Sequence, residues 1–387
     1  MTATNDTATM GPALARDVLE PMKRRFVGKD EVIDLLGVCL VGGENLFILG
    51  PPGTAKSALV QDLSRRFDGR VFDYLLTRFT EPNELFGPFD IRKLREGELV
   101  TNTEGMLAEA EFVFLDELLN ANSAILNSLL MALNERVFRR GRETRKLPAL
   151  MFIGASNRLP EDETLGALFD RFLLRVLCEN VESERLRDVL NAGWQIERDS
   201  ATGVAGEGAT VESIRTLQAV VPNVDLSSVR EPYLELVARL RRAGIAVSDR
   251  RAVKLQRVVA ASALLCGREV AQPSDLWVMR YIWDVMEQRE LIREMVDQVI
   301  GQAGDEAGAR HGRSVENTRP DAEALARDLA VIGDALDDAD LNDAGRAHLQ
   351  DRVGVLAGRV QWVDNGAQRE ALEATLAGLW QRLGVKQ

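Results

Sequence analysis

Residues Gly50-Pro51-Pro52-Gly53-Thr54-Ala55-Lys56-Ser57 follow directly on the apolar run Leu46-Phe47-Ile48-Leu49. This order describes a buried strand entering a tight, glycine-bearing turn, with Ala58-Leu59-Val60 continuing as a helix. The N–H groups of such a turn, and of the helix behind it, converge on one point and form a nest for an anion. Lys56 can reach the β- and γ-phosphates of a nucleoside triphosphate, and the Ser57 hydroxyl can bind Mg2+. Ala55 stands where a second glycine is usual; its methyl removes no donor, so binding is expected to survive. The expected phosphate cradle is therefore Gly50, Pro51, Pro52, Gly53, Thr54, Ala55, Lys56, Ser57 and Ala58. No Asn-Lys-x-Asp motif is present to read guanine, so ATP is the expected nucleotide.

A second apolar run, Phe112-Val113-Phe114-Leu115, ends in Asp116-Glu117. A strand of this kind delivers both carboxylates at its carboxyl end, where parallel sheets bind ligands. Adjacent residues point in different directions and take different tasks. Asp116 is expected to hold Mg2+ through water, and Glu117 to polarise the attacking water. A third run, Phe152-Ile153-Gly154-Ala155-Ser156, ends in Asn157, whose amide can orient the same water. Arg171, in Leu168-Phe169-Asp170-Arg171-Phe172, opens the last strand. It is poorly placed for its own nucleotide and well placed for a neighbour's, where it would stabilise transition-state charge. Arg175 competes for that task, but is expected instead in a surface ion pair.

The elements that must position these groups are legible as patterns. Residues 12–43 read as helix, interrupted by a loop at Phe26-Val27-Gly28-Lys29. Short runs rich in Val, Ile, Leu and Phe at 46–49, 71–76, 112–116, 149–155 and 172–177 alternate with helical patterns. That alternation predicts a parallel sheet buried on both faces. From about 182 strand signals stop, and 185–195, 210–220, 230–243, 250–266 and 274–299 read as helices. The stretch 301–320 is rich in Gly and charge and reads as a linker. Beyond it Leu325, Leu329, Ile332 and Leu336, then Leu349, Val353, Leu356, Val360 and Val363, then Leu372, Leu376, Leu379 and Leu383 give three helical seams. Seams of this spacing bury one another as a bundle or pair with another chain. The expected division is a nucleotide-binding core over 1–182 with a tail at about 1–11, a helical lid over 183–300, the linker, and a C-terminal module over 321–387.

Composition bounds the partners. The 387 residues carry a net charge of −12, which argues against general nucleic-acid binding. Cys39, Cys178 and Cys266 make no metal spacing and read as buried free thiols of a reducing cytoplasm. His311 and His348 lie in polar sequence, so histidine chemistry is not expected. Residues 1–16 show no export signal, and no stretch is long enough to span a bilayer.

As a set, these motifs resemble the MoxR group of AAA+ ATPases, and most closely its RavA-like branch. The resemblance rests on GPPGTAKS at 50–57, TRFTEPNELFGP at 77–88, FLDE at 114–117, ILN through LNER at 125–136, ASN at 155–157, LFDRF at 168–172 and SDRR at 248–251. It covers about residues 15–300. It implies an α/β fold: a five-stranded parallel AAA+ P-loop core, then an α-helical lid, with the C-terminal helical bundle outside the family pattern. It implies that Asn157 is sensor 1, Arg171 the arginine finger, and Arg250 sensor 2 on the lid, with Arg251 as the fallback. It places an insert at 88–106 and a hairpin at 136–148 with six basic residues, which could meet an acidic client or nucleic acid but reads more simply as a solvated, salt-bridged turn. It further implies a hexameric ring that remodels or activates partner proteins, often ones with a von Willebrand A domain. A DNA-acting motor and an ATP-gated assembly scaffold are the competing readings.

Overall fold

The computed structural model describes residues 3–140, 143–160, 166, 168–202, 209–302, 308–315, 322–336, 346, 349–350, 353–354, 356–357, 360 and 366–383. The expected segments form a five-stranded parallel sheet of β1 (Leu46–Leu49), β2 (Val71–Leu75), β3 (Phe112–Asp116), β6 (Met151–Ser156) and β7 (Leu174–Leu177), in the order β2-β3-β6-β1-β7. A separate antiparallel hairpin, β4 (Val137–Arg140) and β5 (Glu143–Lys146), precedes β6. Strands β1, β3 and β6 are continuous apolar runs because helices cover both sheet faces, and every residue of β1 and β6 is buried. Register is set along β1, where Leu46 pairs with Ile153 on one side and Leu174 on the other.

The helices of this part are α1 (Ala3–Leu14), α2 (Glu20–Arg25), α3 (Asp30–Gly42), α4 (Lys56–Arg65), α5 (Pro82–Phe86), α6 (Ile91–Arg95) and α7 (Ser123–Glu135). Four helices follow the sheet: α8 (Leu186–Thr202), α9 (Val211–Val220), α10 (Arg230–Arg242) and α11 (Asp249–Leu265). One hydrophobic core runs through both parts, from Met22 and Leu35 to Trp277 and Ile292.

Four expectations need correction. The expected tail at 1–11 is helical from Ala3, and Gly11 lies so close to α11 that an added Cβ would come 1.8 Å from the Leu264 carbonyl. The single helix expected at 274–299 is a 3-10 stretch (Pro273–Tyr281), a break, and α12 (Gln288–Gln302). The break turns the Ile282 carbonyl and the Asp284 carboxylate towards the sheet, where they meet Arg175. Arg175 is not on the surface. It is fully buried, 3.0 Å from Asp284, donating to the Ile282 and Phe169 carbonyls and lying over the Phe169 ring. Arg251 joins the same carboxylate at 3.1 Å. One carboxylate therefore neutralises two buried guanidiniums and ties β7 to the lid. Asp284→Ala leaves both charges unpaired and is expected to destabilise the chain by about 3 kcal/mol or more. Chemical denaturation measures this, and a loss below about 1 kcal/mol would contradict the assignment.

The last correction concerns the linker. Residues 308–314 pack on the first unit: His311 stacks on Trp277 at 4.4 Å, and Arg313 pairs with buried Asp34 at 2.8 Å. His311 is thus largely buried, and burial pushes its imidazole below the usual histidine range. The chain divides into two compact units, Met1–Ser314 and Val315–Gln387. In the second, Leu325, Leu329, Ile332, Leu349, Val353, Leu356, Val360, Leu372, Leu376 and Leu379 bury one another, with Leu336 and Leu383 partly buried beside them. The three seams are used within the unit. Val363 and His348 lie outside the described residues.

Candidate nucleotide site

The loop at 50–57 leaves the carboxyl end of β1, and Gly50 donates its N–H to the Ser156 carbonyl at 3.0 Å. Its curvature comes from two left-handed residues, Gly53 (φ 83°) and Ala55 (φ 67°), the latter capping α4. Glycine is the easy residue there; alanine holds the same conformation at a cost of about 1 kcal/mol. Among the described residues nothing lies within 4 Å of where a Gly53 Cβ would stand, and Gly53 is exposed. Thr54 and Lys56 are buried, and the Lys56 ammonium donates to the Gly50 and Pro51 carbonyls at 2.9 Å. Gly50 has a separate constraint. A Cβ there would sit 2.1 Å from the Cys178 carbonyl, a backbone atom that cannot yield alone. Gly50→Ala is expected to cost about 2 kcal/mol of stability and to distort the loop. A melting curve and a fluorescent-ATP titration check it; unchanged stability and affinity would contradict it.

Asp116 ends β3, and its Oδ1 accepts the Glu117 N–H at 2.9 Å. Glu117 is itself left-handed (φ 50°), which turns it off the strand path. Burial first, and the neighbouring Asp116 charge second, hold its carboxyl above the ordinary range, while Lys56 and Arg158 oppose this. Glu117 follows Asp116 at the carboxyl end of β3. Asn157 is exposed immediately beyond β6, the strand between β1 and β3. The donor set fits a magnesium triphosphate: an open nest of N–H groups, one buried ammonium, the half-buried Ser57 hydroxyl and Asp116 as hard oxygen ligands. Mg2+, when bound, would spread the charge of the β- and γ-phosphate oxygens; Ser57 and Asp116 would hold it.

The arginines lie elsewhere. The Arg171 carbonyl accepts from Asn45 Nδ2 at 2.9 Å, and Asn45 immediately precedes β1. Arg136, just past the end of α7, donates to Asn45 Oδ1 at 2.7 Å. Two residues before Arg136, Asn134 Oδ1 accepts from Arg250 Nη2 at 2.5 Å. These contacts set Arg171 and Arg250 at the amino ends of the strands. The phosphate loop is at the carboxyl ends, with the four residues of β1, roughly 13 Å, between. The two guanidiniums are close enough that, after burial, Arg250 is the chief influence disfavouring the charge on Arg171. Asp170 at 3.7 Å is the near carboxylate. Arg251 is corrected outright: its side chain is committed to Asp284 and the Ala246 and Ile282 carbonyls. Arg250 is exposed, but not over the loop of its own chain.

Four of the six hairpin cations have partners within the chain. Arg136 is half-buried over the Phe152 ring, and desolvation pushes it down to about 10. Arg139 pairs with Glu135 at 3.2 Å. Arg140 lies over Phe89 and donates to the Gly87 carbonyl. Arg145 reaches Glu109 at 3.6 Å. Arg142 lies outside the described residues. The insert at 88–106 instead exposes apolar side chains, Ile91, Leu94 and Leu99 each by more than half. The sequence reading did not single these out, nor Asn120 and Arg158 beside Glu117.

Comparison with known proteins places this geometry. Residues 13–219 match the family model described as the MoxR domain in MoxR-vWA-beta-propeller ternary systems, and residues 228–296 match an AAA lid domain. An uncharacterised protein of Methanocaldococcus jannaschii is 34% identical over 69% of this chain and 70% of its own length. A second from the same organism is 31% identical over 75% of each chain. The chaperone MoxR1 of Mycobacterium tuberculosis is 26% identical over 46% of this chain and 47% of its own. A solved structure of a candidate ATPase from Cytophaga hutchinsonii superposes with a TM-score of 0.60 at 18% identity, covering 79% of this chain and 99% of that one, and so shares the fold. No helix among the described residues is long and apolar enough to cross a membrane.

Proposed function

The chain belongs to the MoxR family of AAA+ ATPases, and on that premise we propose that it hydrolyses Mg2+-ATP at a seam between two copies of itself and uses the turnover to remodel or activate a partner protein. The observation that carries this reading is the separation of the machinery. Lys56, Ser57, Asp116, Glu117 and Asn157 stand at the carboxyl ends of the strands; Arg171 and Arg250 stand at the amino ends. No bend of one chain unites them, whereas a head-to-tail contact brings the arginine end of one copy to the phosphate end of the next. Repeated, that contact closes into a ring, proposed here as a hexamer in keeping with the family resemblance. In this arrangement Lys56 neutralises phosphate charge, Glu117 takes the proton of the attacking water, Asn157 orients that water, and Arg171 enters from the neighbour with Arg250 beside it.

Within the family we place the chain nearest the RavA-like branch, on the motif set at 50–57, 77–88 and 155–157. The core is taken as 1–182 and the lid as 183–300. Free thiols support a reducing cytoplasmic setting. The partner we propose carries a von Willebrand A domain, consistent with the systems named in the matching family model. The surface supports a protein client over DNA: the net charge is −12, four of the six hairpin cations are engaged within the chain, and the insert offers exposed Ile91, Leu94 and Leu99. The test is capture by the Glu117→Gln chain. With ATP it should retain a von Willebrand A-domain protein that is lost on nucleotide removal. Retention of DNA alone, or of nothing, would overturn the partner assignment.

A further inference from the structure

Two polar side chains beside Glu117 have no task in the site so far. Glu117 opens a tight turn in which the Asn120 N–H donates to the Glu117 carbonyl at 2.8 Å. The turn folds the Asn120 side chain back, setting its Nδ2 3.4 Å from Glu117 Oε2. The other end of the same amide, Oδ1, accepts from Arg158 Nη2 at 3.2 Å. Arg158 stands one residue past Asn157, its own N–H held by the Ser156 hydroxyl at 3.3 Å. The direction of this chain is fixed by chemistry. A guanidinium only donates and a carboxylate only accepts, so the amide oxygen must face Arg158 and the amide NH2 must face Glu117. Glu117 needs such a guide, because its left-handed backbone removes it from the regular strand direction.

We propose that Asn120 and Arg158 are positioning residues for Glu117: Arg158 orients the Asn120 amide, and the amide holds the Glu117 carboxylate where it meets the attacking water. The proposal rests on the ATPase reading above and deepens it. The link also joins the two strand ends of the site, since Arg158 hangs from β6, next to Asn157, and Glu117 from β3. A shift of Asn157 on sensing a γ-phosphate is thereby passed to the base through one amide.

The test is steady-state ATPase activity and fluorescent-ATP binding of the full chain. Asn120→Ala should lower kcat roughly tenfold or more, because misplacing a catalytic group by about 1 Å costs up to about a hundredfold, with affinity unchanged within about twofold. Asn120→Asp is the sharper variant. It keeps the shape but cannot donate and adds a charge facing Glu117, so it should be worse than Asn120→Ala. A role in packing alone predicts the opposite order. Arg158→Lys should retain more kcat than Arg158→Ala, and the double Asn120→Ala/Arg158→Ala variant should be no worse than Asn120→Ala, as expected for residues acting in one chain. Near wild-type kcat for Asn120→Asp, additive losses in the double variant, or an Arg158→Ala defect confined to nucleotide affinity would overturn the proposal and leave the ATPase reading standing. A wild-type chain without ATPase activity would overturn both.

Discussion

Replacing Glu117 with Gln is expected to leave Mg2+-ATP bound and to reduce turnover by about a thousandfold, the middle to upper range for removing a positioned general base. The amide fills the same space and removes only the ability to accept a proton. Asp116, Ser57 and the loop are untouched, so the triphosphate and its metal should be held as before. The carboxylate is prepared for the task by its surroundings. Burial and the Asp116 charge raise its proton affinity above that of a free glutamate, while Lys56 and Arg158 keep the anion accessible. A purified variant should retain radiolabelled ATP through gel filtration and release almost no phosphate. Turnover within about tenfold of wild type would remove Glu117 from this role.

Arg171→Ala should behave differently from any change in the loop. The side chain stands at the far end of the sheet from the ATP of its own chain, so affinity should be unchanged. Hydrolysis should fall by about 10³-fold, the lower end of what an arginine finger supplied in trans contributes to phosphoryl transfer. The expected pattern is therefore a normal binding isotherm, a normal melting curve and a collapsed kcat. Weaker ATP binding with proportionate loss of rate would mean that Arg171 serves its own nucleotide. Unchanged rate would mean that it serves none.

Much of the core was legible because parallel strands buried on both faces must be uninterrupted apolar runs. The five runs in the sequence correspond to β1, β2, β3, β6 and β7 within about two residues. The loop at 50–57 was legible because few residue sets can make that turn. Pairings across long sequence distances were not. Arg175 interrupts an apolar strand, and a charged residue in such a place reads as exposed. Its partner Asp284 lies over a hundred positions on, in a break that helical periodicity does not announce. Residues 308–314 read as linker because they carry little apolar area, yet an imidazole on Trp277 and an ion pair to Asp34 anchor them. The position of Arg250 is the most consequential of these. The motif named the residue, but only its contact with Asn134, and the pairing of Lys254 and Arg257 on α11 with Glu44 just past α3, place it at the far end of the sheet from the loop at 50–57.

The central claim, a site assembled from two copies, is tested most directly by mixing two inactive chains. Arg171→Ala has an intact phosphate end and no finger; Lys56→Ala has a finger and no working phosphate end. Each alone should be inactive. Mixed in equal amounts and allowed to exchange, they should regain about a quarter of wild-type activity, because about one seam in four then pairs an intact loop with an intact finger. A mixture that co-assembles yet stays inactive, or an Arg171→Ala chain that is active by itself, would contradict the account.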